Sequence, residues 1–151
     1  MQNIFDITLT SRRKLREFLD AHTLDQLNAI PQCFSNNLIW NAAHIVVVQQ
    51  MLVYKLSGLP MMVSDEMVDR YKRGTRPDGP VGNAEVDLVK TLLFDTIDQT
   101  LQDSVAEKFT GYQEFITMSG YTIRNVQDAM AFNLYHEGVH TGMMMQIRKF
   151  V

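Results

Sequence analysis

The sequence predicts an all-α chain folded as a helical bundle, and three observations carry that expectation. Apolar side chains recur three and four residues apart along four long stretches, the period of a helix with one buried face. Asn, Ser or Thr stands near the start of several helical stretches, and Gly or Pro follows where some of them stop. Two long connections, residues 61–82 and 104–121, interrupt the four stretches, an arrangement that suits a bundle with crossover connections. With 151 residues, 46% of them hydrophobic, the chain can close one sizeable core and is short for two, so one domain over 1–151 is expected.

In the first stretch Ile4, Ile7, Leu15, Phe18 and Leu19 define an apolar face and leave Arg12, Arg13 and Arg16 on the other side. Thr23 followed by Gln26 reads as a capping box for a short helix that Pro31 must end. Ser35, Asn36 and Asn37 offer caps for a helix carrying Trp40, His44, Val47, Val48 and Met51, with Gly58 and Pro60 as its stop. Ile45, Leu52 and Leu56 make that helix apolar around much of its girth, which places it centrally. Ser64 with Asp65 and Glu66 opens a further short helix that Gly74 closes, and Arg76 to Pro80 is turn chemistry. Asn83 is expected to cap a long helix whose seam is Val86, Val89, Leu93, Ile97 and Leu101. Residues 104–121 hold no sustained period, and Phe109, Tyr112 and Phe115 point to a packed loop or short hairpin. The last helix starts between Thr122 and Asn125 and runs to the C-terminus, where Arg148 and Lys149 suit its final turn.

Composition excludes several function classes. Lys and Arg number 14 against 17 Asp and Glu, a net charge of −3, so no nucleic-acid partner is expected. The least charged stretch, Leu38 to Tyr54, carries Asn41, His44, Gln49 and Gln50, which disfavours a membrane span. Met1 to Lys14 has no leader pattern, and the lone Cys33 rules out a disulfide scaffold; Cys33 is expected to pack as a small apolar residue. A cytoplasmic protein is the expectation.

The histidines carry the chemistry. His136-Glu137-Gly138-Val139-His140 places two imidazoles four residues apart in the last helix, with Cβ atoms roughly 5–6 Å apart. Val126, Ala129, Asn133, His136, His140, Met143 and Ile147 continue one face, so the pair is expected to point inward. A divalent ion would satisfy both rings; the alternative is two core histidines bonded to neighbours such as Asn133 and Gln146. The string also matches the zinc-protease motif, but the rest of that pattern is missing. Met143 and Gln146 stand where the extended form needs Gly and His, and residues 141–151 contain no acidic ligand. His22 sits in a polar connection and reads as a solvated surface residue. His44 faces the core of the central helix, and with the inward pair completes a three-nitrogen site, His44, His136 and His140. Three neutral ligands leave the ion's charge uncompensated and a coordination position open. Water held there is acidified toward ~7, and a thiol is deprotonated, so the site reads as catalytic.

At these residues the chain resembles the DinB/YfiT-like family. Asn37 through His44 with Ser57-Gly58-Leu59-Pro60 is similar to the family's second helix. Gly120-Tyr121-Thr122 through His136-Glu137-Gly138-Val139-His140-Thr141-Gly142 is similar to its last. One departure is Gln146-Ile147, two residues beyond the family's usual Gly-Gln. The resemblance covers essentially the whole chain and implies an up-down-down-up four-helix bundle, a three-His site usually holding zinc or nickel, and often a homodimer. Members with known activity include low-molecular-weight-thiol S-transferases and a thiol-dependent isomerase; others carry only a description as metal-dependent hydrolases.

Glu137, offset about 100° from His136, is a candidate general base, with a solvent-facing position as the alternative. Asn133 and Asn41, one turn before His136 and His44, could orient ligands or line the pocket. Lys72, Arg73 and Arg76 form a basic cluster that is either a solvated loop or an anion-binding lid for a carboxylate-bearing thiol. Met61, Met62 and Met143 to Met145 read as core or interface filler. Thiol S-transfer to a small electrophilic substrate is the preferred activity. Hydrolysis by water activated at the ion stands close behind, and a non-catalytic metal-binding stress-response dimer is the reading from another class.

Overall fold

Helix α1 (Gln2–Asp20) opens the chain, followed by the short α2 (Leu24–Asn28), the long α3 (Leu38–Val53) and the short α4 (Asp65–Tyr71). Then come α5 (Asn83–Val105), a hairpin of β1 (Phe115–Ile116) and β2 (Thr122–Ile123), and α6 (Val126–Ile147). This is a computed structural model, and it describes residues 2–151. The fold is mainly helical, as the sequence predicts.

Local chemistry explains most of the boundaries. Thr23 and Gln26 form the reciprocal capping box, and Asn37, Ser64 and Asn125 each accept a bond from a backbone N–H three residues on. Gly58 takes the left-handed conformation (φ +69°) just beyond the 3-10 turn Lys55–Ser57, as a helix stop requires. Two expected boundaries shift. Gly82 is the cap of α5 and Asn83 its first helical residue, and α4 ends at Tyr71, ahead of Gly74. Helix α2 also stops short of Pro31, because Asn28 turns its side chain onto the backbone of Val81 through both its oxygen and its nitrogen. That exchange fastens α2 to the entry of α5.

Helix α3 buries every residue except Val48 and Met51, which confirms its central place. It packs most extensively against α6, also against α5, and carries α4 on another side; α1 lies on α5 and α6. Each fully buried Ile, Leu or Val along it is worth about 1.5–3 kcal/mol relative to exposure. One apolar cluster gathers Leu15, Leu38, Ile45, Val89, Leu93 and Met144; a second gathers Phe5, Val53, Ile97, Ile123 and Met130.

The buried face of α1 differs from the expected one. It runs Phe5, Thr8, Arg12, Leu15 and Leu19, while Ile7 is exposed. Arg12 is therefore enclosed and not on the outer side, because its guanidinium meets a carboxylate on α6. Cys33 is exposed and does not pack in the core. Among the methionines, Met144 is buried whereas Met62 and Met145 are exposed.

The connection after α5 forms a short hairpin, with Phe115 opposite Ile123 and Ile116 opposite Thr122. Gly120, at φ +82°, closes its turn by donating to the Thr117 carbonyl. Before the hairpin, Tyr112 donates to the Leu52 carbonyl and Phe109 packs edge-on against Tyr54. These contacts lay the hairpin beside the end of α3. Among the described residues, no helix is long and apolar enough to cross a membrane.

Candidate metal centre

The packing of α3 on α6 brings His44 together with His136 and His140. One ring nitrogen from each lies within 4.8 Å of the other two. The ring centroids form a near-equilateral triangle: His44–His136 5.1 Å, His44–His140 4.5 Å and His136–His140 4.5 Å. The indole of Trp40 stacks on His44 at 4.6 Å and 12°, one helical turn before it, and limits the tilt of that ring.

Hydrogen bonds outside the triangle fix the tautomers. His44 Nδ1–H donates to the Tyr71 carbonyl at 2.5 Å, and a carbonyl can only accept. His140 Nδ1–H donates to Asn41 Oδ1 at 2.8 Å. The orientation of that amide follows from its other end, where Asn41 Nδ2 donates to Asn36 Oδ1 and to the Asn37 carbonyl. Both rings thus present an unprotonated Nε2, the arrangement that orients ligating histidines. His136 Nδ1 is buried with no partner among the described residues, a deficit worth about 1–3 kcal/mol that an added group at this nitrogen would remove.

Burial, reinforced by the neighbouring imidazoles, lowers the His136 pKa to about 3 and that of His140 to about 4. Burial lowers His44 as well, against the opposing bond to the Tyr71 carbonyl. All three rings are neutral at pH 7, the form that ligates a metal. Neutral nitrogens, fixed tautomers and an orphaned ring atom together fit a divalent ion.

The triangle opens into a cavity of about 460 Å³. Its walls are mainly apolar: Val48 and Met51 of α3, Phe132 and Tyr135 of α6, and Phe115 and Met118 of the hairpin. The exceptions at α3, Val48 and Met51, are the positions of that helix left incompletely buried. Thr117, Ser119, Asn36 and Arg73 add polar groups.

Glu137 takes no part in this cavity. Its side chain is fully enclosed, and Arg12 Nη2 donates to Oε1 at 2.7 Å while Arg12 Nε bridges both oxygens at 3.2 and 3.3 Å. Asn133 Nδ2 donates to the same Oε1 at 2.7 Å. The general-base expectation for Glu137 is corrected accordingly: the 100° offset from His136 turns the carboxylate toward α1, where its acceptor capacity is taken. The deepest line of α6 is Met130, Asn133, Glu137, Met144 and Ile147, and the histidines lie on its cavity-side flank. Arg12 was not singled out in the sequence, although its place in the 5-8-12-15-19 seam of α1 was the available signal.

The basic cluster divides. Arg73 lines the cavity; Lys72 is tied to Asp69 at 2.7 Å on the surface, and Arg76 borders a different surface depression with Asp69 and Asp78. The shared-lid expectation fails for Lys72 and Arg76, because the chain leaves α4 in an extended conformation at Lys72 (ψ 163°), before Arg73, and turns again at Gly74 (φ +89°), before Arg76. His22 lies apart from the triangle, stacked on Phe18 with its Nδ1–H on the Phe18 carbonyl.

A comparison with curated proteins finds no match to this sequence. A family model, that of the DinB superfamily, matches residues 8–144, a span that contains α2 to α5, most of α1 and α6, and all three clustered histidines. The chain belongs to the DinB superfamily.

Proposed function

We propose that this protein is a metal-dependent thiol S-transferase, in which His44, His136 and His140 hold one zinc or nickel ion beside a small-molecule cavity. When bound with an open position, such an ion supplies a nucleophile at neutral pH by lowering the pKa of a thiol or water. The protein's own part is to keep three imidazoles neutral, to orient His44 and His140 through their Nδ1–H bonds, and to offer apolar walls to an electrophilic substrate.

One observation carries the choice of thiol over water. Among the described residues no Asp or Glu lines the cavity, and Glu137 is committed to Arg12. Metal-bound water stays partly protonated near pH 7, so hydrolysis gains from a base within hydrogen-bond reach, whereas a ligated thiol is deprotonated outright. The test is the initial rate with a model electrophile, with and without a small thiol, at measured metal content. Turnover that requires both thiol and metal supports the reading. Equal turnover without thiol refutes it in favour of hydrolysis, and no turnover at full metal content leaves a metal-binding protein. Light scattering tests the homodimer that the family resemblance implies.

A further inference from the structure

We propose that Asn36 and Arg73 form an anion-binding subsite in the cavity wall, which selects ligands carrying a carboxylate. The inference rests on reading this cavity as the ligand site.

Asn36 stands just before the cap of α3 and is 8% exposed. Its Oδ1 accepts from Asn41 Nδ2 at 3.1 Å, which turns the amide nitrogen away from Asn41. That nitrogen has no protein partner among the described residues, and Asn36 lines the cavity. Asn36 Nδ2 is not itself enclosed and keeps access to the cavity, so its donors are free for a ligand that displaces water there. Arg73, exposed in the turn after α4, lines the same cavity and makes no ion pair among the described residues; its neighbour Gly74 and Ser35, next to Asn36, border one depression. The neighbouring cations differ: Lys72 pairs with Asp69, and Arg70 with Glu85 and Asp78. Among the described residues Arg73 is the one charged side chain on this cavity, and no carboxylate opposes it.

Two donor groups, one of them cationic, on a mainly apolar cavity match an amphiphilic anion: an apolar body against Phe132 and Val48, a carboxylate against Asn36 and Arg73. A phosphate would satisfy the same charge. The guanidinium fork suits either group, and the mainly apolar walls favour the singly charged carboxylate, which costs less to desolvate than a phosphate. The subsite also touches the centre, because the Asn36–Asn41–His140 chain of hydrogen bonds joins the two. An anion that accepts from Asn36 polarises this chain toward His140.

The test compares phenylbutyrate with phenylbutyramide, a pair alike in shape and differing in charge. Binding is followed by nitrogen-edited NMR on metal-free and zinc-loaded protein, because a carboxylate could also ligate the ion. The expected result is that both samples bind the acid at least about fivefold more tightly than the amide, with the preference shrinking as salt is raised. Arg73→Gln abolishes the preference and leaves amide binding unchanged. Asn36→Asp keeps an oxygen for Asn41 but replaces the donors, and it weakens the acid selectively. Lys72→Gln and Arg76→Gln keep the wild-type preference. Equal affinity for acid and amide in the metal-free protein overturns the proposal. So does an undiminished preference in Arg73→Gln, or failure of both probes to bind. Absence of thiol turnover refutes the transferase reading alone and leaves this preference in place.

Discussion

Replacing Glu137 by Gln separates a structural role from a catalytic one. The side chain would keep an oxygen for Arg12 Nη2 and Asn133, but the new amide would set an N–H against Arg12 Nε, now 3.3 Å from Oε2. It would also leave a guanidinium with no exposed surface and no counter-charge. Arg12 Nη1 already donates to the Leu93 carbonyl and Thr96 Oγ1, so it cannot swing out without breaking two further bonds. Removing one partner of such a pair costs about 3–5 kcal/mol. For a chain of this size that corresponds to a fall in Tm of roughly 6–20 °C. Replacing both residues by apolar ones, Arg12→Met with Glu137→Leu, should recover most of the loss, since neither charge then remains buried. Urea unfolding of the two single variants and the double variant gives the coupling energy directly. Metal content and turnover per folded, metal-loaded chain should stay within about tenfold of wild type in Glu137→Gln, because general-base removal typically costs 10²–10⁴-fold. A stability loss under about 1 kcal/mol, or additive single effects, would refute the buried-pair argument. A rate loss of general-base size in folded protein would return Glu137 to the chemistry.

The remaining predictions concern the centre. His44→Ala and His140→Ala should each lose most of the bound metal while His22→Ala retains it, measured by elemental analysis of purified protein; equal content in all three would remove the triad. Cobalt or nickel loading should quench the fluorescence of Trp40, the chain's one tryptophan, because its ring stacks on His44; an unchanged spectrum at full loading would contradict the stacking. Asn41→Ala deprives His140 Nδ1 of its acceptor and should weaken metal affinity about 10–100-fold by competition with a chelator. In metal-free protein the unfolded chain protonates its histidines near pH 6.5, whereas His136 and His140 wait until about 3 and 4 in the folded state. The unfolded state therefore takes up protons first, and stability should fall as pH drops from 6.5 toward 4. Denaturant midpoints across that range should show a shallower fall in His136→Asn; identical slopes would argue against burial of the neutral ring.

Periodicity and capping were enough to place most of the fold. Thr23, Asn37, Ser64 and Asn125 act through bonds three residues away, so their roles were visible in the local sequence. The central place of α3 followed from an apolar girth that no exposed helix would carry. The histidine pair was legible because spacing of four sets two rings over one another within a single helix. That His44 joins them depends on the packing of α3 against α6, and no local pattern contains that distance. Burial of Glu137 was hidden for the same reason, and that of Arg12 showed only as a place in the seam of α1. Each reads as a surface charge by residue type, and only the other makes enclosure tolerable. The division of Lys72, Arg73 and Arg76 was likewise decided by the backbone, which leaves α4 at Lys72 and turns at Gly74. Short-range chemistry thus determined the helices and nominated the ligands. Which face of each helix turned inward, and which charges met, followed from the pairing of elements far apart in the chain.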